Sequence, residues 1–173
     1  MADFQYFTPL VVQVLPATAD QAPILANLFQ LYMHDFSEFV ELEPGADGRF
    51  REERLISYWQ EADRHPYLVL VSGNLAGFAL IKEGSEISGA PGVWDMAEFF
   101  ILRGRRRLGI GMKAALELWK KHPGEWEIRV RERNNGAIAF WAGAVKAFSG
   151  RTTPPKIFHK EGIGWQVFSF KTG

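Results

Sequence analysis

The sequence predicts a mixed α/β domain, with a central, mostly antiparallel sheet flanked by helices. Three observations carry this expectation. Two apolar runs flank Gly73-Asn74, a short-loop hairpin signal. Further on, a strand, a basic glycine turn, a helix, a strand and another helix follow in series. Residues 156–170 read as two strands around Gly162-Ile163-Gly164. The chain has 173 residues, 47% hydrophobic and 14% aromatic, enough to bury a core without staples. No stretch reads as a linker, so residues 1–173 are expected to form one domain.

The elements follow in order. Residues 10–15 read as a first strand. Thr18 or Asp20 caps a helix that tolerates Pro23 in its first turn. Ile24, Leu28 and Leu31 recur at helical spacing and supply its buried face. Residues 34–48, acidic and punctuated by glycine, read as a loop or broken helix. A second helical period runs through Phe50, Leu55, Tyr58 and Trp59. It ends at Arg64-His65-Pro66, because the residue before proline avoids the helical region. The hairpin occupies residues 67–82 and a loop residues 85–92. Residues 94–102 form a central strand, apolar on both faces except at Asp95 and Glu98. Residues 112–121 form a helix with Ala114 and Leu118 on one stripe. Lys120 and Lys121 suit the negative end of its dipole, and Pro123-Gly124 stops it. Residues 126–132 alternate as a strand, and residues 134–148 form a last helix capped by Asn134 or Asn135.

Composition excludes several function classes. Without cysteine there is no disulfide, thiol nucleophile or thiolate metal site. That fits a reducing compartment, and a cytoplasmic location is the expectation. The start of the chain carries Asp3 in place of a basic region, and Pro9 and Pro16 interrupt its apolar run. It reads as a strand and not as a signal peptide. No apolar run is long enough for a membrane span. The net charge of zero disfavours a general nucleic-acid binder. No His/Asp/Glu set has metal spacing, so no metal is expected. Ser37, Ser57 and Ser72 lack a nucleophile-elbow motif.

The basic turn, residues 103–111, holds Arg103, Arg105, Arg106 and Arg107 and leads into a helix. A helix N-terminus leaves backbone N–H groups unpaired, and its dipole favours an anion there. Gly109 and Gly111 allow close approach to the backbone, so a pyrophosphate suits the turn. The spacing is neither that of a dinucleotide fold nor that of a P-loop. It is R-x-x-G-x-G, read as Arg106, Gly109 and Gly111, and it resembles the acetyl-CoA signature of the GNAT acetyltransferase superfamily. The element order over roughly residues 10–170 matches that family as well. The segments MHDFSEF, RHPY, MAEFF and AFW together resemble a branch described as predicted acetyltransferases. That narrower likeness brings no substrate with it.

The resemblance implies the acyl-CoA N-acyltransferase fold, with acetyl-CoA as cosubstrate. It implies an N-acetyltransferase acting on a primary amine, a small molecule or a peptide, by direct transfer in a ternary complex. Phe100, Ile101 and Leu102 are expected beside the pantetheine arm, and Arg106, Arg107, Leu108, Gly109, Ile110, Gly111 and Met112 around the pyrophosphate. Asn134 and Ala137 match the family's N-x-x-A at the start of the last helix, where the thiol end passes. Glu98, eight residues before Arg106, stands where many members place a general base. Its alternative is an ion pair with Arg129 or Arg131, since an isolated buried charge is costly. Asp95 is a second candidate, nearer the strand start and expected at the surface. Trp141 stands where many members place an acidic tyrosine, and an indole N–H is no acid near neutral pH. It reads as a cofactor contact or as core. Val145 and Lys146 replace the family's usual Gly-Phe. His34, Asp35, Glu38 and Phe39 are expected at the acceptor pocket, where acids attract a cationic amine; the alternative is a solvated loop. A non-catalytic acyl-CoA-binding domain is the competing function. No nucleic acid, no membrane and a monomer or homodimer complete the expectation.

Overall fold

The computed structural model describes residues 10–160 and 162–173. Strand β1 (Val12–Pro16) leads into a one-turn 3-10 segment and then α1 (Ala22–Phe36). Thr18 makes the turn, its backbone N–H donating to Gln21 Oε1 at 3.1 Å. The buried face of α1 is Leu25, Leu28, Phe29 and Met33, a stripe at i, i+3, i+4 and i+8. Ile24 and Leu31, expected inside, are 36% and 51% exposed. The wider stripe wins because it matches Leu68, Phe78, Leu80 and Phe100 on the sheet below.

The second expected helix is mostly absent. A 3-10 turn, Glu53–Leu55, precedes a single helical turn, α2 (Ser57–Gln60). Arg64-His65-Pro66 already belongs to β2 (Arg64–Val71), paired with β3 (Asn74–Glu83) from Arg64↔Lys82 onward. The hairpin loop is Ser72-Gly73 and not Gly73-Asn74. Both loop residues have positive φ, 48° and 80°, as a type I′ turn requires.

β4 (Val93–Ile101) is the central strand. Ala97 is an extra residue in its pairing with β3, because Leu80 faces Glu98 while Ile81 faces Met96. After α3 (Ile110–Lys121), β5 (Gly124–Arg131) runs parallel to β4 but pairs with it only over Val93↔Glu125, Trp94↔Trp126 and Asp95↔Glu127. Beyond Asp95 the two strands part and leave a V-shaped opening. α4 (Asn135–Ser149) follows, then β6 (Lys156–Lys160) and β7 (Ile163–Thr172). Ile163 and Gly164 already pair with β6, so the turn sits earlier than the expected Gly-Ile-Gly.

The seven strands form one sheet in the order β1-β2-β3-β4-β5-β7-β6, antiparallel except for β4–β5. This is the mixed, mostly antiparallel sheet that the sequence predicts. α1 and α2 cover one face over β2 to β4. α3 and α4 cover the other, around Trp119, Trp126, Ile128, Trp141 and Phe168. Asp95 departs from expectation. It is 1% exposed and paired with Arg129 from the neighbouring strand β5.

Candidate active site

The opening between β4 and β5 is bounded at one end by the basic turn. Arg107 and Gly109 both take left-handed φ, 61° and 75°. Alternating such residues with ordinary ones aims successive N–H groups toward one point. Among the described residues, no backbone acceptor pairs with the N–H groups of residues 107–112. Gly109 is needed for its φ, and open space lies where a Cβ would stand. Gly111 acts differently: a Cβ there would come within 3.3 Å of the Phe140 ring, so it lets α3 lie close to α4.

The arginines are engaged by the protein itself. Arg106 Nε donates to the Ile101 carbonyl at 2.8 Å, and its Nη2 lies 2.5 Å from Asp35 Oδ2. Arg103 Nη2 lies 2.8 Å from Asp35 Oδ1. Burial pulls the Asp35 carboxyl upward, but the two arginine hydrogen bonds outweigh it and hold the group below its ordinary value. Asp35 therefore ties the end of α1 to the turn. Arg107 and Leu108 remain exposed.

The edge of β4 explains which backbone groups meet the opening. Leu102 N–H donates to Ala76 on the β3 side, and the Phe100 carbonyl points at Gly77. By alternation the peptide groups of Phe99 and Ile101 face the V, with the Ile101 carbonyl already taken by Arg106. Phe99 was not singled out from the sequence.

Deeper in the V is a cavity of about 160 Å³ whose wall includes Tyr32, Arg54, Glu98, Arg129, Asn134 and Trp141. Glu98 accepts a hydrogen bond from the Tyr32 hydroxyl and pairs with Arg54 Nη1 at 2.7 Å. Burial raises the Glu98 carboxyl above its ordinary value, while Arg54 and the Tyr32 hydrogen bond oppose the rise. Burial, and then the Glu98 charge, push the Tyr32 phenol well up, so it stays protonated and donates. Glu98 does have an arginine partner, but it is Arg54; Arg129 goes to Asp95. Asn134 Oδ1 accepts from the Ala137 N–H at 3.0 Å and caps α4. Trp141 packs edge-on against Phe99 and Phe140, at 5.1 and 4.8 Å between centroids, and closes the floor.

None of His34, Asp35, Glu38 and Phe39 lines this cavity. His34 and Glu38 are exposed on the last turn of α1 and just after it. Tyr32 and Phe36, which do line it, continue the Leu28 row of α1 at four-residue steps, a signal that was legible. Arg54 comes from the 3-10 turn Glu53–Leu55 and left no local signal. Among the described residues no group of three His, Cys, Asp or Glu side chains is placed to hold a metal, and no helix is long and apolar enough to cross a membrane.

Comparison with known proteins bears on the fold and the family. No curated protein matches the chain. An acetyltransferase from Thermus thermophilus superposes with a TM-score of 0.64 at 19% identity, covering 93% of this chain and 98% of that one. Arabidopsis thaliana NAA60 in complex with acetyl-CoA gives 0.62 at 16% identity, over 93% and 98%. A GNAT family acetyltransferase from Elizabethkingia anophelis with acetyl-CoA bound gives 0.56 at 13%, over 92% and 97%. At such identities these structures share the fold. The model of the Acetyltransferase (GNAT) family matches residues 25–144, and the chain belongs to that family.

Proposed function

We propose that the protein moves an acetyl group from acetyl-CoA to a primary amine by direct transfer, with Glu98 as general base. The carrying observation is the parting of β4 and β5 beside a largely buried glutamate, with free N–H groups at one end of the gap. A pyrophosphate fits those N–H groups and the open space at Gly109. An extended thiol arm fits along the unpaired edge of β4 at Phe99 and Ile101. Two solved proteins of the same fold hold acetyl-CoA, and Arabidopsis NAA60 is also known in complex with a bisubstrate analogue.

The bound thioester supplies an activated acyl group. The amine nitrogen bonds to the acyl carbon, the carbon–sulfur bond breaks, and Glu98 takes the amine proton. A carboxylate of raised pKa is a better base for that purpose than an ordinary one. Tyr32 and Arg54 hold its two oxygens in place. The protein need not supply a strong acid, because a simple thiol ionises at about pH 8.5. The absence of cysteine leaves no thiol to carry the acyl group between two half-reactions.

Thermal melting with and without acetyl-CoA is the first test, followed by acetyl-CoA-dependent thiol release across an amine panel. Ligand at about 100 times its dissociation constant stabilises the fold by roughly 2.7 kcal/mol. No rise in melting temperature at millimolar acetyl-CoA would remove the proposal. Trp141 motivates a second reading, a non-catalytic acyl-CoA-binding domain. A clear rise without thiol release for any amine would favour it.

A further inference from the structure

Alternation along β5 puts Glu127, Arg129 and Arg131 on one face, with Trp126, Ile128 and Val130 buried on the other. Arg131 faces Trp165 across the β5–β7 pair, and its guanidinium lies 4.9 Å from the indole centroid. Arg129 lies 5.9 Å from the same ring. α1 and α2 cover the sheet only over β2 to β4, so this side of β5 and β7 lines the Glu98 cavity.

The charges around the cavity do not balance locally. Arg54, Arg129 and Arg131 line it. Glu98 answers Arg54, and Asp95 answers Arg129. Glu132, next in sequence, turns to the other face and meets His159 at 3.6 Å. Among the described residues Arg131 has no ion pair, and its contact is the Trp165 ring. A polycationic acceptor would meet uncompensated positive charge here. An acceptor with its own anion would not. A guanidinium held flat on an indole presents its fork to a planar carboxylate.

We infer that the acceptor is a small amine that also bears a carboxylate, an amino acid in the simplest case, with Arg131 binding the carboxylate and Glu98 facing the amine. Trp165 fixes the plane of the guanidinium. The inference rests on the reading of this cavity as the acceptor site.

Two readouts separate the inference from that reading. The first is calorimetric titration of the N-acetyl derivatives of the twenty common amino acids, and of their carboxamides, into CoA-loaded protein. Carboxylates should bind at least about tenfold more tightly than the matching carboxamides. In Arg131→Ala that gap should shrink to about twofold or less, and Arg131→Lys should restore part of it. Arg131→Gln takes the place of the alanine variant if the latter does not fold. The second readout is thiol release with free amino acids against amino amides, where Arg131→Ala should raise KM for the carboxylates by a larger factor than for the amides. A carboxylate preference in binding without any thiol release would sink the transferase reading and leave the Arg131 site standing. Equal binding of carboxylates and carboxamides, equal losses for both in Arg131→Ala, or no binding at millimolar concentration would overturn the inference.

Discussion

Arg54 reaches from the 3-10 turn Glu53–Leu55 to Glu98 on β4, 44 residues away, and closes an ion pair of 2.7 Å. The pair places the only carboxylate among the described residues of the cavity wall between a cation and a phenol. Arg54 also lies over Phe29 at 5.0 Å, so α1 holds it in place. Glu98→Gln should lower kcat by about 100-fold or more at neutral pH and leave the acetyl-CoA dissociation constant within about twofold. Steady-state kinetics beside calorimetry checks this, and an unchanged kcat would take Glu98 out of the base role.

The same pair sets the pH dependence. Glu98 must be ionised to accept a proton, and burial raises its pKa while Arg54 lowers it. Activity should therefore rise with pH through a midpoint above that of an ordinary glutamate. Arg54→Ala removes a neighbouring cation, so the acid limb of the rate profile should move to higher pH. A limb that stays in place, or moves down, would contradict the assignment.

Asp35 and Arg106 should behave as one unit with Arg103. Each single variant, Asp35→Asn or Arg106→Ala, loosens the same clamp on the turn. Their stability losses in the ligand-free protein should be non-additive, with a coupling of about 1 kcal/mol in a double-mutant cycle. Additive losses would show that the clamp contributes nothing. Acetyl-CoA affinity should fall in Arg106→Ala through the backbone it supports, since the guanidinium already bonds to Ile101 and Asp35.

The two glycines of the turn should fail for different reasons. Gly109→Ala meets open space but must hold φ at 75°, which costs an L-residue about 1–2 kcal/mol. Gly111→Ala has ordinary helical φ but presses on Phe140. Phe140→Leu should rescue part of the second loss and none of the first, as judged by melting temperature.

His122 gives a test of stability away from the site. It is buried beside Trp94 and His65, and its Nε2 lies 2.8 Å from the Tyr67 hydroxyl. Burial, with His65 and Lys121 adding to it, lowers its pKa to about 4. In the unfolded chain it titrates near 6.5. Between those values the unfolded state binds more protons, so stability is full above about pH 6.5 and falls as the pH drops toward 4. The loss should approach about 2–3 kcal/mol, and His122→Gln should remove that part of the slope. A parallel slope in the variant would sink this assignment.

The order of the strands, the helix that follows the basic turn and a cap at Asn134 or Asn135, of which the structure uses Asn134, were legible locally. Each depends on neighbours within a few residues: alternation, helical period, or a side chain reaching its own backbone. The misplaced stripe of α1 and the missing second helix show where local pattern stops. Ile24 and Leu31 repeat at helical spacing, yet the sheet under Leu25 and Phe29 chose the phase. Pro66 was read as a helix stop, while pairing with Leu80 made it part of β2.

Sequence alone determined the fold class, the strand–turn–helix that offers free N–H groups, and Glu98 as the acid to watch. Which arginine meets which acid was decided only in three dimensions. Asp35, Asp95 and Glu98 find Arg106, Arg129 and Arg54 across separations of 71, 34 and 44 residues. Ion pairs have no sequence period, and burial decides what each is worth. The opening itself arises because β4 and β5 pair at one end only, a relation between two strands that no single segment encodes.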